Sequence, residues 1–276
     1  MPEGNYRLAA LDMDGTLLNA RHEVSRTSRE LLRKTAEAGG IVALCTGRCL
    51  SEIWAHLKAV PEIPYVICEN GACIYDVRAG RALLQMALPE AAMRRVMDAA
   101  DRFEVLRQCF MNNQSYMQID DSEGLRRFGV YDFAGVFEAG SVYISDMRAE
   151  YARQGVAEKI NLYFLNADDR ENFAALVADL PVQMSYSLGT GYEISPSEAT
   201  KARGLEWLCR YLGIGLKDAV AVGDGGNDVD LMHAAGLAVA MGNAIEAVRA
   251  IADLTCEDCD HDGAALTAWR FLMGRR

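Results

Sequence analysis

Short apolar runs alternate with polar turns along the first third of the chain. Leu8-Ala-Ala-Leu11 reads as a buried strand that opens onto the polar turn Asp12-Met-Asp-Gly-Thr16. A helix should follow, with Ser25 or Ser28 as its cap, Leu31 and Leu32 on its apolar side, and Gly39-Gly40 as its stop. Ile41-Val-Ala-Leu-Cys45 is the next strand and ends in Thr46-Gly-Arg48. A helix over about residues 50–59 leads to the strand Tyr65–Cys68 and the turn Asn70-Gly71. Buried strands alternating with helices predict a parallel sheet covered on both faces.

The pattern changes after about residue 83. Pro89 sits where a helix would begin, and that helix is expected to reach about Arg102. Val105–Met111 and Ser115–Ile119 flank Asn112-Asn113 and read as a hairpin. After a less regular stretch come a strand, Ile160–Leu165, an Ala- and Leu-rich helix over about 168–179, and a second hairpin turning at Gly189-Thr-Gly191. Locally paired strands with helices between them predict an α+β domain inserted over about 84–190. The earlier alternation then resumes. A helix carrying Leu205, Leu208 and Leu212 stops at Gly213, and the strand Ala219–Val222 ends in Gly223-Asp224-Gly-Gly-Asn227-Asp228. A further helix runs to about Ala235, and the strand Leu237–Met241 ends in Gly242-Asn243. The expected fold is α/β: a Rossmann-like parallel-sheet core, 1–83 and 191–276, interrupted by an α+β cap, 84–190.

Polar residues cluster where these strands end. In an open parallel sheet, ligands bind outside the carboxyl ends of the strands. Asp12 and Asp14, Thr46 and Gly47, and Asp224 with Asn227 and Asp228 should therefore converge. Carboxylates so close repel one another, and a divalent cation relieves that repulsion. Hard oxygen ligands at an α/β turn suit Mg²⁺, which is shared with a substrate phosphate. Residues i and i+2 of an extended segment face the same way, so Asp12 is placed to attack phosphorus and Asp14 to reach the leaving oxygen. Taken alone, Asp-x-Asp also fits a polar turn with a helix cap. A calcium loop fits poorly, because Gly15 comes too early.

Composition narrows the choice. The chain has 276 residues, 51% hydrophobic and 24% charged, enough for a large core. Its formal net charge of -11 argues against nucleic-acid or anionic-membrane binding. An anionic substrate would then need local cations at its site. Of the eight cysteines, only Cys256 and Cys259 have CxxC spacing, and no second ligand pair accompanies them, so plain thiols are expected. The first residues show no signal pattern, and no apolar run approaches the ~18 residues of a membrane span. The expected compartment is the reducing cytoplasm.

The strings LDMDGTLL, TGR, the lone Lys201 and GDGGNDVDLM, in that order, resemble the four motifs of the haloacid dehalogenase-like phosphatases. The insert between the second and third motifs resembles their type-two (IIB) cap, and EISP…K with AVAMGNA resembles the Cof-type branch. The resemblance implies that Asp12 is the nucleophile and a Mg²⁺ ligand. It implies that Asp14 is the general acid/base with its backbone carbonyl on the metal, that Asp224 is the main further carboxylate ligand, and that Asp228 supports the metal. The backbone N–H of Met13 would help to hold the phosphate. Thr46 fits a phosphate-oxygen donor, and Gly47 allows close backbone approach. Lys201, at a helix start that itself favours anions, fits a phosphate ligand. Asn227 would donate to phosphate or orient Lys201. Arg48 reads as a structural ion-pair residue and Asn243 as a turn residue near the site.

The implied activity is hydrolysis of a small phosphorylated metabolite (a sugar, nucleotide-like or cofactor phosphate) through an aspartyl-phosphate, by a monomer or homodimer. A phosphomutase would need a dense cluster of cations in the cap for a second phosphate. A non-catalytic binding module would lack one of Asp12, Asp14 and Asp224, and all three are present. In the cap, Arg107, Asn113, Arg126, Arg127, Tyr163 and Tyr186 could reach a substrate, but each reads first as a solvated or packing residue.

Overall fold

The structure, a computed structural model, describes residues 5–119 and 123–273. The chain forms two compact units. The first comprises the chain up to Gly47, Ala55–Leu84 and the chain from Thr200 onward; the second comprises Arg48–Trp54 and Gln85–Ala199.

The chain begins with β1 (Leu8–Leu11), α1 (Arg26–Glu37), β2 (Ile41–Cys45), α2 (Leu50–Ala59), which is divided between the two units after Trp54, and β3 (Tyr65–Cys68), close to the pattern of the sequence. β1 is apolar at all four positions because all four are buried. α1 starts where Ser25 accepts the N–H of Ser28, a side-chain cap that satisfies an otherwise orphaned donor. Two strands were not expected from the sequence: β4 (Cys73–Asp76) turns back antiparallel on β3, and β5 (Arg81–Gln85) follows it.

The second unit runs through α3 (Glu90–Ala100), β6 (Val105–Met111), β7 (Gln114–Gln118), α4 (Glu123–Arg127), α5 (Ala134–Gly140), β8 (Ser141–Ile144), α6 (Met147–Gln154), β9 (Lys159–Phe164), α7 (Ala167–Val177), β10 (Val182–Tyr186) and β11 (Gly191–Pro196). Its strands make one six-stranded sheet in the order β10-β11-β9-β6-β7-β8. Asn112 and Asn113 both adopt positive φ, the backbone of a tight two-residue turn between β6 and β7. One apolar cluster joins Met93 and Val96 of α3 and Phe173 of α7 to Ile160, Leu162 and Phe164 of β9. Here the division differs from the expected boundary at 190/191. Gly191–Pro196 pairs with β9 and β10, so the unit extends to Ala199.

The chain then returns to the first unit with α8 (Lys201–Leu212), β12 (Ala219–Gly223), α9 (Val229–Ala234), β13 (Leu237–Ala240), α10 (Glu246–Ile251), β14 (Leu254–Thr255) and α11 (Gly263–Leu272). Its eight-stranded sheet has the order β14-β13-β12-β1-β2-β3-β4-β5. The run from β14 to β3 is parallel. α1 and α11 pack together and against β1, β2 and β12, while α8 and α9 pack together and against β3, β12 and β13. β1 is thus a central strand, and its carboxyl end meets that of β12.

Candidate active site

Leu11 pairs with Val222 across β1 and β12, and the N–H of Asp12 donates to the Val222 carbonyl at 2.9 Å. This register brings the turn after β1 against the turn after β12. The Thr16 hydroxyl donates to Asp224 Oδ1 at 2.8 Å. Gly15, at φ +72°, makes the approach possible, since a Cβ there would stand 2.4 Å from Asp224 Oδ2. Asn243 closes the arrangement by donating to the Gly15 carbonyl at 2.8 Å, while its own Oδ1 accepts the N–H of Cys259.

Lys201 is the first residue of α8, whose N-cap Thr200 accepts the N–H of Arg203. Its Nζ lies 2.5 Å from Asp12 Oδ1 and 2.7 Å from Asp228 Oδ1. The Lys201 and Asp228 side chains are fully buried, and Asp12 is buried. Asp228 Oδ2 accepts the N–H groups of Asp224 and Gly225, each at 3.0 Å. Its carboxylate therefore fastens the turn after β12 to Lys201.

The electrostatics of this cluster are one cation short. Burial, followed by the charges of Asp228 and Asp224, pushes the Asp12 carboxyl up to about 8 against the pull of Lys201. Burial and the neighbouring Asp228 also raise Asp224, which the Thr16 hydrogen bond opposes. Burial alone would push the Lys201 ammonium down, but Asp12 and Asp228 overcome it and hold the pKa above the ordinary lysine value. Each of Asp12, Asp224 and Asp228 offers an oxygen within 4.8 Å of the others, a spacing that could hold a metal ion. Three carboxylates facing one ammonium suit a hard divalent cation.

Met13, Asp14, Thr46, Gly47 and Asn227 lie on the turns of the first unit, and Arg48 belongs to the second. Asp14 is part-exposed, with Oδ1 3.8 Å from His22 Nδ1. Met13 is buried, and its carbonyl accepts the N–H of Leu18. Thr46 is buried at the end of β2, its carbonyl accepting the N–H of Asn70 at 3.0 Å. Gly47 faces the Asn70 side chain, and Asn227 Nδ2 donates to Asn70 Oδ1 at 3.4 Å. Arg48 is buried, and its charge acts on Glu52. Three members of the surround were not given these parts from sequence: Thr16, Asn70 and the bridging Asn243. Thr16 lies within the string LDMDGTLL and Asn70 in the turn Asn70-Gly71 after β3, which were the available signals. Cys256 contacts Met241 Sδ at 3.5 Å.

A family model for the haloacid dehalogenase-like hydrolases matches residues 9–267. The chain belongs to that family, in its Cof-type branch. It is 27% identical to phosphatase YwpJ of Bacillus subtilis (strain 168), over 94% of this chain and 97% of the relative. It is 28% identical to the pyridoxal phosphate phosphatase YbhA of Escherichia coli (strain K12), over 97% of this chain and 99% of the relative. A solved haloacid dehalogenase-like hydrolase from B. subtilis shares the fold with a TM-score of 0.83 at 25% identity, covering 95% of this chain and 98% of the other. The protein is a phosphatase of this family.

Proposed function

We propose that this phosphatase is Mg²⁺-dependent and hydrolyses a small phosphorylated metabolite through an aspartyl-phosphate on Asp12. The observation that carries the reading is the buried Lys201 shared between Asp12 and Asp228, with Asp224 alongside. Asp12, Asp224 and the Asp14 carbonyl would hold the Mg²⁺, with Asp228 behind them, and the ion would neutralise charge on the phosphoryl oxygens.

In the first step a carboxylate oxygen of Asp12 attacks phosphorus, and the ester oxygen leaves with a proton from Asp14. Lys201 fixes Asp12 Oδ1 and offsets negative charge at the phosphoryl group. The Thr46 hydroxyl, the backbone at Met13 and Gly47, and Asn227 are read as phosphate donors. In the second step Asp14 takes a proton from water, whose oxygen attacks phosphorus. Inorganic phosphate leaves and the Asp12 carboxylate is restored. Proton transfer of this kind contributes roughly 10²–10⁴-fold.

The second unit is read as a cap that sets substrate choice, in keeping with its insertion between pieces of the first. Substrate size is inferred from relatives named for small phosphate esters, such as YbhA. The reading includes the cytoplasmic setting expected from the sequence; among the described residues no helix is long and apolar enough to cross a membrane.

Asp12→Asn keeps the shape of the side chain and removes the nucleophile. It should abolish Mg²⁺-dependent release of phosphate from a panel of phosphorylated metabolites while the circular dichroism spectrum is retained. Full turnover by this variant would refute the mechanism.

A further inference from the structure

The loop after the Asp12 turn is built to hold one histidine against Asp14. Asn19 organises it: Asn19 Oδ1 accepts the N–H groups of Arg21 and Glu23 at 3.0 and 3.1 Å. The Asn19 N–H donates to the Glu23 carbonyl, and the His22 N–H returns to the Asn19 carbonyl at 2.8 Å. The Ala20 N–H is anchored on Asp260 Oδ1 at 2.9 Å, tying the loop to a distant part of the chain. At the apex His22 takes φ +57°, the left-handed region that costs a side-chain-bearing residue energy. That backbone directs Nδ1 to 3.8 Å from Asp14 Oδ1. The His22 side chain is otherwise more than half exposed, so packing does not account for the strained apex.

We infer that His22 is a positioning residue for Asp14, aiming its carboxyl at the leaving oxygen of the substrate. The inference rests on the proposed acid/base role of Asp14. A positioned acid matters most for an ester whose leaving group is a poor one. Pyridoxal 5′-phosphate must expel an alkoxide, which needs a proton as the P–O bond breaks. p-Nitrophenyl phosphate expels a stabilised phenolate, which needs little help. The ratio of kcat/KM for the two esters therefore reports how well the acid is placed, whereas general damage to the fold lowers both values together.

Two variants separate the side chain from the backbone. Glycine tolerates the positive φ and removes the side chain. Asparagine tolerates it too and keeps a hydrogen-bond donor near the place of Nδ1. His22→Gly should lower the alkyl-to-aryl ratio about tenfold, a part of the range expected for general acid catalysis. His22→Asn should recover most of that loss. In an Asp14→Asn background, adding His22→Gly should leave the ratio where Asp14→Asn put it. An unchanged ratio in His22→Gly, or a further fall in the double variant, overturns the role of His22 alone. An unchanged ratio in Asp14→Asn, or no turnover of either ester by the unaltered enzyme with Mg²⁺, overturns the proposed function and this inference with it.

Discussion

One ammonium group serves two buried carboxylates in the first unit. Removing one partner of a buried ion pair leaves an uncompensated charge, at a cost of about 3–5 kcal/mol. Lys201→Met retains the stem and removes the cation. It should lower the unfolding free energy by about that amount at pH 8, measured by urea titration, and by less at pH 5, where Asp12 can take a proton. The proton balance has a definite sign. The Asp12 pKa is raised in the folded chain to about 8, so between the ordinary carboxylate range and about 8 the folded state binds more protons than the unfolded one. In the absence of divalent cations, this group makes stability fall as pH rises through that window. At the proposed site, Mg²⁺ would compete with the proton for the same oxygens. The Tm should therefore rise more on adding Mg²⁺ at pH 8 than at pH 5, and Asp12→Asn should reduce the difference. An equal rise at both pH values would contradict this account of the cluster.

Helix α8 couples local structure to this site, because its cap and its first residue sit side by side. Thr200→Ala removes the acceptor for the Arg203 N–H and should cost about 1 kcal/mol of stability. Activity should also fall, through looser placement of Lys201, by more than a comparable lesion at the Asn166 cap of α7, whose side chain accepts the N–H of Asp169; parallel kcat and urea measurements would show it. Caps and turns were also what the sequence displayed best. Ser25, Pro89, Asn112-Asn113 and Gly213 each act through their own backbone neighbours, so each could be read locally. β8 could not. It is an edge strand that pairs parallel with β7 across two intervening helices, and Val142 and Tyr143 are both exposed, so no alternation marks it. The expected boundary at 190/191 cut the hairpin of β10 and β11 at its turn, whereas the second unit keeps both strands and runs to Ala199.

At the scale of the whole molecule, Asp12 and Asp224 were legible in the sequence because each directly follows a buried apolar strand. Their supporting contacts were not. Thr16 and Asp224 are 208 residues apart, and Asn243 reaches Gly15 across 228. No local pattern encodes such a meeting; the register of β1 on β12 does. A residue placed only by that meeting should be sensitive to it. Gly15→Ala adds a Cβ into the Asp224 carboxylate and strains a positive φ, so it should lower Mg²⁺ affinity at least about tenfold, measured by activity against Mg²⁺ concentration.

The same distance separates the two halves of the site in time. The ribosome adds about 5–20 residues per second, so the 208 residues between Thr16 and Asp224 take roughly 10–40 s to make. Throughout that interval β1, apolar on both faces, lacks β12, and once β2 has been made it can be covered on one side only. During synthesis a strand that ends as the middle of the sheet is an open edge. Nascent chains arrested before Ala219 should be cut readily by protease around β1 and β2, and chains long enough to release Gly223 from the exit tunnel should resist. Asp12 waits, half-housed, until β12 has been made.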